Sequence, residues 1–172
     1  RQTARRWLPE WRRPDGRTDP VVLPGSYGRF ARPIIHALGQ QANVSLAVVD
    51  LTEYDGAYRW LGIDPMMIGQ RLRCALGGEV EADPDHHRIL ADADVVFVDW
   101  ADKGAVWASM MVGEGTRLVI RVHSMDALSP WILLVDWTRV DDLIFVGAHL
   151  RDLVLDMLGS RLANVRTHVV PN

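Results

Sequence analysis

From Pro20 onward, short apolar runs alternate with longer stretches of helical period. The runs cover residues 21–23, 44–49, 95–98, 118–122, 143–146 and 168–170. They are rich in β-branched residues and apolar on both parities, the pattern of strands buried on both faces of a parallel sheet. Between them, Asp64-Pro65 reads as an N-cap with proline in the first turn, and Gly77-Gly78 as the stop. Ile68, Leu72 and Leu76 give that helix one apolar face. Ser129-Pro130 repeats the start signal before Leu133, Leu134 and Trp137. Leu150, Leu153, Val154, Met157 and Leu158 form a stripe that ends at Gly159. Residues 30–38, with Pro33 in the first turn, and 101–112, with Val106 and Met110 facing in, complete the predicted helices. Strand and helix recurring in this way predict right-handed crossovers. The expected fold is α/β, a Rossmann-like three-layer αβα sandwich around a mostly parallel sheet.

A length of 172 residues suits one domain, expected over 20–172, preceded by a basic extension over 1–19. The chain is 48% hydrophobic and 24% charged, the balance of a globular protein. A net charge of -3 gives no general attraction to nucleic acid. There is no run of about 20 apolar residues and no signal-peptide pattern. The single cysteine, Cys74, excludes an internal disulfide and a cysteine-rich metal site, and fits a reducing, cytoplasmic setting. The chain opens at Arg1 rather than methionine, so a processed or truncated N-terminus is expected. In the extension, Arg1, Arg5, Arg6, Arg12, Arg13 and Arg17 interleave with Trp7 and Trp11, and Pro9, Pro14 and Pro20 break up any long helix. It reads as an arm touching a membrane surface or an upstream domain, or as a terminal segment packing its tryptophans on the domain; the second is favoured.

Open α/β sheets bind ligands at the carboxyl ends of their strands, so the residues just after each run are the candidates. After the first come Gly25, Ser26, Tyr27, Gly28 and Arg29, a glycine-bearing turn leading to a helix. It suits a phosphate or is simply a tight turn requiring positive φ. It is neither Gly-x-Gly-x-x-Gly nor a P-loop. Asp50 follows the second run and Gly147-Ala148-His149 the fifth. After the third come Asp99 and Trp100, a carboxylate for sugar hydroxyls and a ring to stack on a sugar. Asp102 is read as the cap of the next helix. After the fourth comes His123, able to hydrogen-bond a bound hydroxyl or share developing charge. It is followed by Ser124 and Asp126 and preceded by Arg121, which could reach a phosphate. His86-His87 beside Asp83 and Asp85 is read as a solvated loop containing Pro84, with no metal site. No Gly-x-Ser-x-Gly elbow or Cys/His pair supports hydrolase chemistry.

Four strings then fall in a telling order: Ala-Asp-Val-Val-Phe-Val-Asp-Trp (93–100), Arg-Leu-Val-Ile-Arg-Val-His-Ser (117–124), Val-Asp-Trp-Thr-Arg-Val-Asp-Asp-Leu-Ile-Phe-Val-Gly (135–147) and Val-Arg-Thr-His-Val-Val-Pro-Asn (165–172). This succession resembles the N-terminal domain of retaining glycosyltransferases of the GT-B fold, family 4 type. It covers the second half of the chain; the first half matches in pattern only, and the 24–29 turn departs from the family's double glycine. The resemblance implies a hexosyltransferase using a nucleotide-sugar and an acceptor, with no cofactor and no essential metal. It implies that this half supplies mainly the acceptor side and that a C-terminal donor-binding domain with paired glutamates would follow Asn172. The isolated half is then expected to be inactive. It also implies that His123 matches the family histidine touching the transferred sugar. Two other classes stay open: a nucleotide-sugar epimerase or dehydrogenase, which the missing dinucleotide fingerprint counts against, and a non-catalytic flavodoxin-like interaction or receiver module. The latter wants an acidic pair after the first strand, where this chain has Pro24-Gly25.

Overall fold

The computed structural model describes residues 15–54, 65–80 and 84–172. The arginine- and tryptophan-bearing residues 1–14, and residues 55–64 and 81–83 with Asp64 and Asp83, lie outside the described residues. Six strands form one sheet: β1 (Pro20–Leu23), β2 (Ala47–Val48), β3 (Val95–Val98), β4 (Arg117–Val122), β5 (Asp142–Phe145) and β6 (Arg166–Val169). They stand in the order β2-β1-β3-β4-β5-β6, and every pairing is parallel. The helices are α1 (Arg32–Gly39), α2 (Leu51–Tyr54), α3 (Pro65–Ala75), α4 (Pro84–Ala91), α5 (Lys103–Met111), α6 (Ser124–Ala127) and α7 (Ala148–Leu158). The fold is α/β and Rossmann-like.

Five of the six apolar runs became strands at close to their expected bounds. The second shortened to Ala47–Val48, with Val44 left as an isolated bridge to Thr18; beyond it the Asp50 carboxylate accepts from the Thr52 N–H and hydroxyl (2.9 and 2.6 Å) where α2 opens.

The sheet is not equally buried on its two faces, as the uniform apolar runs had suggested. Val96, Val98, Leu118, Ile120, Val122, Leu143 and Phe145 are wholly buried, whereas Val95, Phe97, Val119 and Ile144 opposite them are half-buried and β6 is exposed throughout. Strand order explains this. Only the step from β1 to β2 runs one way along the sheet. The steps from β2 through β6 all run the other way, and right-handed crossovers put their helices on a single face.

Three helix expectations shift. In α3 it is Met67 that is buried, and Leu72 and Leu76 are exposed. Arg71 turns the helix by donating to the Leu134 carbonyl (2.8 Å). The stretch after Ser129 forms two short 3-10 turns, Pro130–Leu133 and Trp137–Arg139, instead of one α-helix. The Asp136 carboxylate caps the start of the second by accepting from the Thr138 N–H. Pro84 does not mark a loop: it opens α4, where its missing N–H costs nothing. No helix among the described residues is long and apolar enough to cross a membrane.

Candidate functional site

Because β1, β3 and β4 are consecutive in the sheet, their carboxyl ends lie side by side. The turn after Leu23, the Asp99-Trp100 pair after Val98 and His123 after Val122 therefore meet at one edge, next to the reversal of strand order between β1 and β3.

The turn is a kinked 3-10 segment, Gly25–Phe30. Gly25 has φ 68°, and a Cβ there would lie 2.9 Å from Trp100 Cδ1 and 3.0 Å from the Asp99 carbonyl. Glycine is needed twice over, for the left-handed backbone and for the close approach to the β3 tip. Gly28 lies outside the left-handed region, and its Cβ would meet only Pro24, at 3.3 Å.

The donors of Ser26 are taken. Its N–H and hydroxyl bond Asp102 Oδ2 at 2.9 and 2.6 Å, while Asp102 Oδ1 caps α5 through the Gly104 N–H at 2.8 Å. The capping role expected of Asp102 holds, and the same carboxylate occupies Ser26, where a phosphate was expected. Burial pushes Asp102 above the ordinary carboxylate value, and its Ser26, Gly104 and Ala105 hydrogen bonds oppose that rise. Beside it, Leu23, Gly25, Val49, Asp50, Val98 and Asp102 help line a crevice of about 10 Å³, room for about one water.

Asp99 is wholly buried and caps nothing. Its Oδ1 accepts from Arg121 Nε at 2.5 Å and pairs with His123 Nε2 at 3.0 Å; its Oδ2 is buried with no hydrogen-bond partner. Arg121 also donates to the Phe30 carbonyl (3.0 Å) and to Asn172 Oδ1 (3.4 Å), so it ties β4 to the end of the turn. It is engaged inside the protein, unlike the free phosphate ligand expected.

Trp100 lies flat on the His123 ring, with centroids 4.1 Å apart and planes at 13°, and Tyr27 tilts against Trp100 at 4.9 Å. Phe30 meets Trp100 edge-on and tilts against His123. The rings of the site are thus spent on one another, and Tyr27, 39% exposed, is the aromatic open to a ligand. The indole N–H of Trp100 is buried without a partner.

Asp126 is wholly buried. Its Oδ1 accepts the His123 and Ala127 N–H groups (2.7 and 3.1 Å), and its Oδ2 accepts the Ala101 N–H (2.6 Å). It closes a capping box with His123 at the start of α6. Desolvation pushes it up to about 7, helped by the negative charge of Asp102. With both oxygens taken by backbone N–H groups, it is not the sugar contact expected. Ser124 is exposed on the first turn of α6, Arg29 is exposed with its guanidinium 4.9 Å from the Phe30 ring centre, and His149 is exposed at the start of α7.

The structure thus brings Gly25, Ser26, Tyr27, Asp99, Trp100, Arg121, His123 and Asp126 together and leaves Arg29 and Ser124 at the periphery. The sequence did not single out Phe30, whose carbonyl and ring both serve the site and which no spacing marks. Compared with known proteins, the chain matches no family model, no curated protein and no solved structure.

Proposed function

We propose that this chain is the acceptor-side domain of a glycosyltransferase using a nucleotide-sugar donor, and that a sugar hydroxyl is received at the β3 and β4 tips. The observation that supports this most is Asp99 Oδ2: a buried carboxylate oxygen with no partner, beside His123. An unpaired buried oxygen of this kind costs about 1–3 kcal/mol or more, and a ligand hydroxyl donating to it recovers that cost. His123 and Arg121 fix the carboxylate through Oδ1 and leave Oδ2 as the receiving atom. The partnerless Trp100 N–H offers a complementary donor. Tyr27 and Phe30 lie against the Trp100 ring, and in this proposal the ligand enters by displacing the 25–30 turn. Donor nucleotide binding is assigned to a second domain, since Asp102 already satisfies Ser26. Membrane contact through residues 1–19 and a cytoplasmic location belong to the same proposal.

Titrating nucleotide-sugars and simple glycosides against the chain tests this, read by the NMR signals of the Trp100 indole and the His123 ring. Saturable shifts in wild type, weakened roughly 10- to 100-fold in Asp99→Asn as expected for a hydrogen bond to a charged group, support it. No response to any sugar overturns it. A second reading, a flavodoxin-like interaction module, is favoured by the strand order, with its switch between β1 and β3. It expects a protein partner and silence toward every sugar.

A further inference from the structure

The two carboxylates on either side of Ala101 do different work. Asp102 joins the β1 turn to α5. Asp126 joins the tip of β3, through the Ala101 N–H, to the tip of β4, through the His123 and Ala127 N–H groups. Alongside the sheet ladder and the Asp99 bonds to Arg121 and His123, the Ala101 bond ties the backbone beside Trp100 to that of His123.

We propose that Asp126 is a positioning residue, a carboxylate staple that joins the β3 and β4 tips and holds His123 flat against Trp100, and that the staple opens at one specific bond when the carboxyl takes up a proton.

The geometry says which bond. Oδ1 faces two N–H donors and Oδ2 faces one. A proton on either oxygen sets O–H against N–H, and Oδ2 is where the fewest bonds are lost. Protonation therefore releases Ala101 and leaves the cap of α6 in place. The two strand tips come apart while α6 stays folded. Asp126 is held by backbone N–H groups, and burial pushes its carboxyl to about 7, so this exchange falls near neutrality. The surrounding charged groups are Asp102 and buried Lys103 at the start of α5, His123, Asp99 and Arg121 at the β3 and β4 tips, and His149 and Arg151 in the first turn of α7, which packs on α6. The Pro130–Leu133 turn, also packed on α6, carries none.

That the staple presents Asp99 and His123 to a ligand rests on the proposed function; that it exists does not, and its test contains no ligand. Amide exchange is measured on the 172-residue chain from about pH 5.5 to about 8.5 and corrected for the intrinsic rate. Protection at Ala101 is expected to fall by up to about tenfold per pH unit as pH drops toward about 7, and to level off below it, as one-proton linkage requires of a stapled form that itself titrates there, while Ala127 stays level throughout. Asp126→Asn, which carries no titrating proton, makes Ala101 level too. If that variant does not fold, the Asp126 carboxyl carbon in wild type replaces it: its titration midpoint must coincide with the pH at which Ala101 protection levels off. A flat Ala101 profile, a parallel loss at Ala127, or a midpoint that departs from that pH overturns the proposal. Sugar binding that survives any of these results leaves the glycosyltransferase reading standing, and sugar binding that fails leaves the staple standing.

Discussion

Among the described residues, two buried aspartates gather cations, one at each end of the sheet. At the amino end, Asp142 accepts from Arg117 Nε and a terminal nitrogen (2.8 and 2.7 Å), from Arg166 (2.8 Å) and, on its other oxygen, from His168 (2.8 Å). At the carboxyl end, Asp99 places Arg121 and His123 on one oxygen and nothing on the other. Burial and charge are alike; satisfaction is not. A fully bonded carboxylate is explained by the fold it holds, here the starts of β4, β5 and β6. A half-bonded one at the ligand-binding edge of a parallel sheet asks for a partner from outside.

The two ends also respond oppositely to pH, which gives the largest expected effect. Asp126 and Asp102 are raised, so their share of stability is fully present below the unfolded value of 3.8 and is lost as pH rises, for Asp126 through about 7. Asp142 is lowered by the hydrogen bonds of Arg117, His168 and Arg166, which outweigh its burial. Its share is present above 3.8 and is lost as pH falls below that. At about 1.36 kcal/mol per unit, the Asp126 shift from 3.8 to about 7 amounts to at most about 4 kcal/mol. Urea unfolding of wild type and Asp126→Asn across the range should show the difference between them changing by that order as pH rises, with wild type losing ground. A difference that stays constant shows that the carboxyl end does not titrate.

Next comes the same substitution at both aspartates. Asparagine at 142 must turn its NH₂ toward either His168 or the arginines. Asp142→Asn is expected to cost about 2 kcal/mol, below the roughly 3–5 kcal/mol of a fully buried pair because Arg166 and His168 are half-exposed. At 99 the NH₂ fits where Oδ2 has no donor, so Asp99→Asn is expected to cost about 1 kcal/mol. Equal losses in denaturant midpoints would mean that the two aspartates are equally satisfied by the fold.

The sequence located the edge and missed its wiring. Five strands were legible because a run such as Val95-Val96-Phe97-Val98 has few other ways to fold. The end of a strand then places the next residues at the sheet edge, and Asp99, Trp100 and His123 were located from that alone. The partners were not legible, because they depend on which strands are neighbours. Nothing local says that the Asp126 carboxylate reaches Ala101, 25 positions away in the chain, or that Arg121 reaches the Phe30 carbonyl, 91 away. The stripe of Ile68, Leu72 and Leu76 failed for a related reason. Helical period identifies a face but not its direction, and here Met67 and Arg71 face inward. Apolar content alone likewise could not reveal that one sheet face carries most of the helices, which is a consequence of strand order.

The contrast between satisfied and unsatisfied groups extends to the two glycines of the turn. Gly25→Ala combines a left-handed φ, worth about 1–2 kcal/mol, with a Cβ pressed on Trp100 and backbone, so a loss of about 2 kcal/mol or more is expected, together with a shifted Trp100 indole signal. Gly28→Ala meets only Pro24 and should stay within about 0.5 kcal/mol. Similar losses would mean that the turn needs glycine throughout, as a phosphate loop does, and not only where it touches Trp100.

The smallest expected effect separates the two serines of the site. Ser26→Ala removes a hydroxyl that donates to buried Asp102 at 2.6 Å. The Ser26 N–H keeps its own bond to the same oxygen, so the loss is one charge-assisted bond, about 1.5 kcal/mol, growing as pH rises and the carboxylate must stay ionised. Ser124→Ala, on an exposed position of α6, should change stability by less than about 0.5 kcal/mol at any pH. If Ser26→Ala proves as silent as Ser124→Ala, the turn is not fastened by Asp102, and the Ser26 donors are open to a phosphate after all.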